Sequence, residues 1–113
     1  MNSDAANDAK SELVLDEHGH LRDFDAWNNA VAQQLAHAAG IDLTARHWQV
    51  IEALRRFYTT YTYAPGMRPM ISYLRRELGP EYGSSVYLLT LFPGSPARVG
   101  ARLAGLPKPA NCL

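Results

Sequence analysis

Residues 44–62 read TARHWQVIEALRRFYTTYT, and Trp48, Ile51, Leu54, Tyr58 and Tyr61 recur there at spacings of three or four. An α-helix returns to the same face every 3.6 residues, so the spacing predicts a helix over roughly residues 45–62. Thr44 is its expected N-cap. Glu52, Arg55 and Arg56 fall on other faces. Aromatic side chains in such a stripe are expected to fill core rather than to line a cofactor site.

Upstream, Trp27, Val31, Leu35 and Ala38 carry a second helical stripe. Asp23 or Asp25 would cap it, and Gly40 followed by Ile41 would close it. Leu13-Val14-Leu15, the turn Asp16-Glu17-His18-Gly19 and the return His20-Leu21-Arg22 predict a small β-hairpin that must pack on something larger. Residues 1–10 are small and polar without periodicity, which predicts a disordered tail. Downstream, Ala64-Pro65-Gly66 ends the long helix, and Pro69 suits the start of the next one, whose apolar face is Met70, Ile71, Tyr73, Leu74 and Leu78. Gly79-Pro80 stops that helix. A short one runs from about Ser84 to Leu91 until Pro93-Gly94, and a last one opens at Pro96, with Val99, Leu103 and Ala104, and closes at Gly105. The fold expected is mostly α. It is a single domain over residues 11–105 of about five helices, with a helix-turn-helix-like pair and the N-terminal hairpin. A mobile, exposed arm over residues 106–113 follows, stiffened by Pro107 and Pro109.

The chain has 113 residues, 47% of them hydrophobic, which suits one domain with a real core. A single cysteine, Cys112, excludes an internal disulfide and any CxxC zinc or redox site. No run approaches the roughly 18 apolar residues of a membrane helix. The start MNSDAANDAK lacks the basic and apolar regions of a signal peptide, so a soluble, cytoplasmic, reducing setting is expected. The net charge of zero conceals an asymmetry: residues 1–65 hold nine acids and five bases, residues 66–113 two acids and six bases. Cys112 lies in the basic part. No HExxH, P-loop, dinucleotide-binding glycine pattern or GxSxG elbow occurs, and the histidines do not show metal-ligand spacing. The helix after Gly83, SSVYLLTLF, lacks the Arg, Lys, Asn or Gln of a base-reading helix, so packing explains it better than nucleic-acid recognition. That leaves the thiol of Cys112. A thiolate is the reactive form of cysteine and positive neighbours favour it, which makes Lys108, Arg98 and Arg102 candidate electrostatic support. The Leu113 carboxylate acts in the opposite sense.

The last ten residues, AGLPKPANCL, carry a GLPKP arm and a penultimate cysteine. Upstream stand His47-Trp48, Arg56-Phe57-Tyr58, the Pro65 loop with Arg68, Gly83-Ser84, Tyr87 and Leu91-Phe92-Pro93. In this order and spacing the chain resembles the DsrC/TusE family over roughly residues 12–113. The resemblance implies a helical domain with an N-terminal hairpin and a mobile arm. It also implies a sulfur carrier that holds a persulfide on Cys112, presented by Gly105, Leu106, Pro107, Lys108 and Pro109, with no metal or organic cofactor. Implied partners are a sulfur-donor relay protein or complex (TusBCD- or DsrEFH-like) and an acceptor, either a tRNA thiolase or a sulfur-metabolism enzyme. The carrier would be monomeric alone, with room for tRNA beside it in a ternary complex. One branch of the family has a second cysteine eleven residues before the first; here that position is Ala101. The chain is therefore more similar to the branch serving wobble 2-thiouridine synthesis, the alternative being a single-cysteine carrier in sulfur oxidation or sulfite-reductase metabolism. It departs from the family in the segment GSPARVG, where Arg98-Val99 replaces a Lys-Gln pair.

Overall fold

The computed structural model describes residues 13–110, and five α-helices follow one another among them. These are α1 (Asn29–Ala38), α2 (Ala45–Tyr61), α3 (Met67–Leu78), α4 (Ser85–Leu91) and α5 (Pro96–Leu103). Single 3-10 turns at Phe24–Ala26 and Pro80–Tyr82 precede α1 and α4. The expected tail, residues 1–10, lies outside the described residues.

Helix α2 matches the predicted span, but its buried face is His47, Val50, Ile51, Ala53, Leu54 and Phe57. Trp48 and Tyr58 are half-buried and Tyr61 is 46% exposed. The core face is thus turned by about one residue from the aromatic stripe. Tyr61 instead clusters with Phe57 and Tyr63 at the end of the helix, with Phe57 in ring contact with both. His47 is a structural pin. Its Nδ1 accepts the Thr44 N–H at 3.0 Å, and its Nε2–H donates to the Leu91 carbonyl at 2.7 Å, tying the start of α2 to the end of α4.

Short as it is, α5 packs against α1, α2, α3 and α4. Small residues make this possible. A Cβ at Gly100 would lie 3.0 Å from Leu54 Cδ1, a tight contact that the leucine methyl would have to relieve by shifting. Both α1 and α5 end in Schellman motifs. In α1, Ile41 N–H bonds to the Ala36 carbonyl and Gly40 N–H to the His37 carbonyl. The helix α4 buries Leu88 and Leu91 and turns Val86 and Leu89 outward, so packing does account for its apolar sequence on one face.

Three expectations need correction. The N-terminal hairpin reduces to one isolated antiparallel bridge, Leu15 with Leu21, and no strand forms among the described residues. Backbone bonds from Asp16 N–H to the His20 carbonyl (2.7 Å) and from Arg22 N–H to the Val14 carbonyl (3.0 Å) flank it, and the Asp16 carboxylate accepts the N–H groups of His18 and His20, each at 2.9 Å, so the segment closes as a tight turn with only a rudimentary ladder. The bonds to the carboxylate hold the Asp16 pKa below the usual carboxylate range. Asp23 then bonds the Asp25 N–H and starts the 3-10 turn, which ends any returning strand. Second, α1 begins at Asn29 with Asn28 as its cap, so Trp27 precedes the helix in an extended conformation and Ala38 is exposed. Third, Pro69 is the third residue of α3 rather than its first, because Gly66 caps that helix.

Candidate functional site

The path of the arm is set where α5 ends. Ala104 is the C-cap and Gly105 follows at φ +74. Gly105 N–H bonds to the Arg102 carbonyl at 3.1 Å and Leu106 N–H to the Ala101 carbonyl at 2.9 Å, the two bonds of a Schellman motif. Glycine is required twice over at this position. Its φ lies in the left-handed region, and an added Cβ would sit 2.6 Å from Trp27 Cδ1.

The root of the arm is packed rather than exposed. Gly105 and Leu106 are buried, Leu106 completely, and Pro109 is buried as well. Pro107 is exposed and Lys108 half-buried. An aliphatic residue in the C″ position of a Schellman motif closes back onto the helix it follows, which outweighs the extended preference of the prolines. The His20 ring holds the same root: it is fully buried, and its Nδ1–H donates to the Leu106 carbonyl at 2.9 Å. Burial pulls its pKa below the ordinary 6.5, although the Leu106 bond and Asp16 act to raise it.

From Pro109 the chain reaches Ala110, an exposed residue that forms part of the wall of a groove of about 390 Å³. The other lining residues are Tyr63, Ala64, Gly66, Met67, Arg68 and Pro69. This groove sits at the amino end of α3, whose first N–H groups have no intrahelical acceptor and carry partial positive charge. Arg68 is exposed and has no carboxylate within ion-pair distance among the described residues. Among the described residues, its lining therefore offers the Arg68 cation, an exposed tyrosine and no acid. Cys112, the expected carrier, lies outside the described residues.

The two arginines expected to support the thiol line other surfaces. Arg102 Nε donates to the His18 carbonyl at 3.3 Å, and its side chain shares a second groove with Leu15, Gly19, Leu35 and Val99. The Arg98 Nε is buried without a hydrogen-bond partner. Neither is among the residues that line the groove around Ala110. The cation that is there, Arg68, entered the sequence reading only as part of the Pro65 loop. The signal that could have singled it out is its place two residues after a Gly that opens a helix. Among the described residues, no three His, Cys, Asp or Glu side chains converge on a point that could hold a metal ion. No helix among them is long and apolar enough to cross a membrane.

Known proteins with this arrangement are found by sequence and by shape. The family model described as DsrC like protein matches residues 7–113. Sulfurtransferase TusE of Sodalis glossinidius (strain morsitans) is 40% identical over 103 residues, covering 91% of this chain and 95% of the relative. The Sulfurtransferase TusE homolog of Haemophilus influenzae is 41% identical over 102 residues, covering 90% of this chain and 94% of the relative. Among solved structures, the NMR structure of Allochromatium vinosum DsrC superposes with a TM-score of 0.80 at 40% identity, covering 88% of each chain. The crystal structure of the oxidized gamma-subunit of the dissimilatory sulfite reductase (DsrC) from Archaeoglobus fulgidus has a TM-score of 0.77 at 38% identity, covering 89% of this chain and 92% of that one. With a family model spanning nearly the whole sequence, and relatives near 40% identity matched almost end to end, the chain belongs to the DsrC-like family.

Proposed function

We propose that this chain is a sulfur carrier whose working atom is the Cys112 sulfur. In the loading step the Cys112 thiolate attacks the outer sulfur of a donor persulfide. An S–S bond forms at Cys112 as the donor's S–S bond breaks, and the donor leaves as a thiolate. In the delivery step an acceptor thiolate attacks the outer sulfur in the same way and Cys112 leaves. Each step exchanges one S–S bond for another, so neither needs an outside oxidant or reductant. A thiol of lowered pKa is more ionised for the first step and a better leaving group in the second.

The observation that supports the reading is that Ala110, two residues before Cys112, lines the same groove as Arg68 and the amino end of α3. Two residues of extended chain span at most about 7 Å. Within that reach, Arg68 and the helix end favour the thiolate, against the opposing charge of the Leu113 carboxylate. Ala101 supports a carrier that works with one cysteine, because the chain has no second thiol to close a disulfide with Cys112.

The acceptor we favour is a tRNA-thiolating enzyme making wobble 2-thiouridine, with tRNA beside the carrier in the complex. The relatives named sulfurtransferase TusE and the single cysteine support this over an acceptor in sulfur oxidation or sulfite reduction. The donor would be a relay protein that itself carries a persulfide. A reducing cytoplasm is the setting this chemistry suits. The test is intact mass after incubation with a persulfide donor. The wild-type chain gains the mass of one sulfur atom, removable by dithiothreitol, and Cys112→Ser gains nothing. An adduct of the same size on Cys112→Ser overturns the proposal.

A further inference from the structure

The last turn of α5 and the start of the arm present the carbonyls of Leu103, Ala104 and Leu106 to side chains distant in sequence. Trp27 Nε1–H donates to the Leu103 carbonyl at 2.8 Å. Arg55 Nη1–H donates to the Ala104 carbonyl at 2.8 Å. His20 Nδ1–H donates to the Leu106 carbonyl at 2.9 Å. The first two donors form one unit, because the Arg55 guanidinium lies 3.8 Å from the Phe24 ring centre and 4.1 Å from that of Trp27. Arg55 Nη2 also donates to the Phe24 carbonyl at 3.3 Å. Trp27 forms the wall against which Gly105 fits.

These bonds are not what closes α5. The Schellman pair, Gly105 to Arg102 and Leu106 to Ala101, already does that with backbone atoms alone. Three further donors, from the N-terminal segment and from α2, take three neighbouring carbonyls. A peptide plane held at its carbonyl resists rotation, so together they bias the direction in which the chain leaves the helix.

We infer that Trp27, Arg55 and His20 are positioning residues for the arm: they aim residues 106–110 at the groove beside Arg68 and thereby set where Cys112 meets a partner's sulfur. The inference rests on Cys112 being the carrier thiol, but its test involves no sulfur transfer and fails or succeeds separately. Trp27→Phe keeps a ring over Arg55 and removes the donor. His20→Phe removes a second donor, and His20→Asn keeps a donor near the position of Nδ1. Hydrogen exchange of the Gly105 and Leu106 amides is compared with that of Ile51 in the core of α2. Losing one such bond is expected to speed exchange at Gly105 and Leu106 about two- to tenfold in Trp27→Phe and His20→Phe. Ile51 should be unchanged and His20→Asn close to wild type. A nitroxide attached to Cys112 should broaden the amides of Ala64, Gly66 and Arg68 in the wild type, and clearly less in Trp27→Phe. Equal acceleration at Ile51 and Leu106 would reduce these residues to ordinary stabilising contacts and overturn the inference. So would a broadening pattern that spares the groove in the wild type or does not change in the variant.

Discussion

Gly105→Ala should unfold this protein at a much lower temperature, and the size of the loss can be worked from two separate terms. Gly105 has φ +74, where a β-carbon costs about 1 kcal/mol. The added carbon would also meet Trp27 Cδ1 at 2.6 Å and Trp27 Cβ and Cγ at 2.9 Å. These are ring and backbone-proximal atoms rather than the loose end of a flexible chain, so relief requires moving the indole that bonds to Leu103. Overpacking of this kind costs about 1–3 kcal/mol. The sum is about 2–4 kcal/mol. For a chain of 113 residues, 1 kcal/mol lowers Tm by about 4 °C, giving a fall of about 8–16 °C. Far-UV circular dichroism melts of Gly105→Ala should be run in the wild-type and in the Trp27→Ala background. Removing the indole leaves only the backbone cost, so in that background the alanine should lower Tm by about 4 °C. A wild-type-background shift below about 2 °C, or equal shifts in the two backgrounds, would refute the account of why the arm begins with glycine.

Arg68→Gln should slow alkylation of Cys112 by iodoacetamide about two- to fivefold at neutral pH and low salt, while Arg102→Gln, whose guanidinium serves the His18 carbonyl, should leave the rate unchanged. Stability should fall as pH drops below about 6.5, because the buried His20 has a folded-state pKa below the 6.5 of the unfolded chain. Between those two values the unfolded state binds the proton first, so folding loses free energy until the folded-state pKa is reached. Urea midpoints measured across about pH 7.5 to 5.5 should show this slope in the wild type and a flatter one in His20→Asn. Asn28→Ala removes the oxygen that accepts the Val31 N–H at 2.9 Å. It should cost about 1 kcal/mol, or about 4 °C in Tm, without altering Cys112 alkylation.

How much of this was legible depends on the range of the interaction involved. The helices are legible because their signals are local: the three-and-four spacing of α2, the Gly40-Ile41 pair that closes α1, and Pro96 opening α5. The expected hairpin shrinks to one bridge because alternation over three residues cannot reveal that the Asp16 carboxylate takes the N–H groups of His18 and His20 or that Asp23 starts a 3-10 turn directly after Arg22. The α2 face was misjudged by one residue because the aromatic stripe is only part of what packs. His47 is buried through its bond to the Leu91 carbonyl, forty-four residues away. The candidate site shows the same division. The arm sequence and its cysteine stand out in the chain, whereas the side chains that hold the arm, His20, Trp27 and Arg55, are joined to it across 86, 76 and 49 residues. No spacing rule connects positions so far apart. Arg98 and Arg102 precede the arm in sequence, but neither lines the groove that Ala110 lines; the arginine there is Arg68, at the start of α3.

The packed root changes what a carrier of this kind can do. Were the arm free from Leu106 onward, six residue steps would let Cys112 range about 20 Å from its origin, and a partner could take the sulfur without touching the domain. With Leu106 and Pro109 buried and Ala110 at the wall of the groove, the remaining two steps allow about 7 Å. Under the carrier reading, a donor or acceptor must then come to the groove itself and meet Tyr63, Arg68 and the amino end of α3 along with the sulfur. Such a partner loses less conformational freedom of the arm on binding, because the root is already ordered. It is also selected by the surface around the thiol, since a short tether cannot reach a reactive group that does not fit that surface. An anchored root therefore favours selectivity over reach. That balance suits a persulfide, which any accessible thiolate could otherwise discharge.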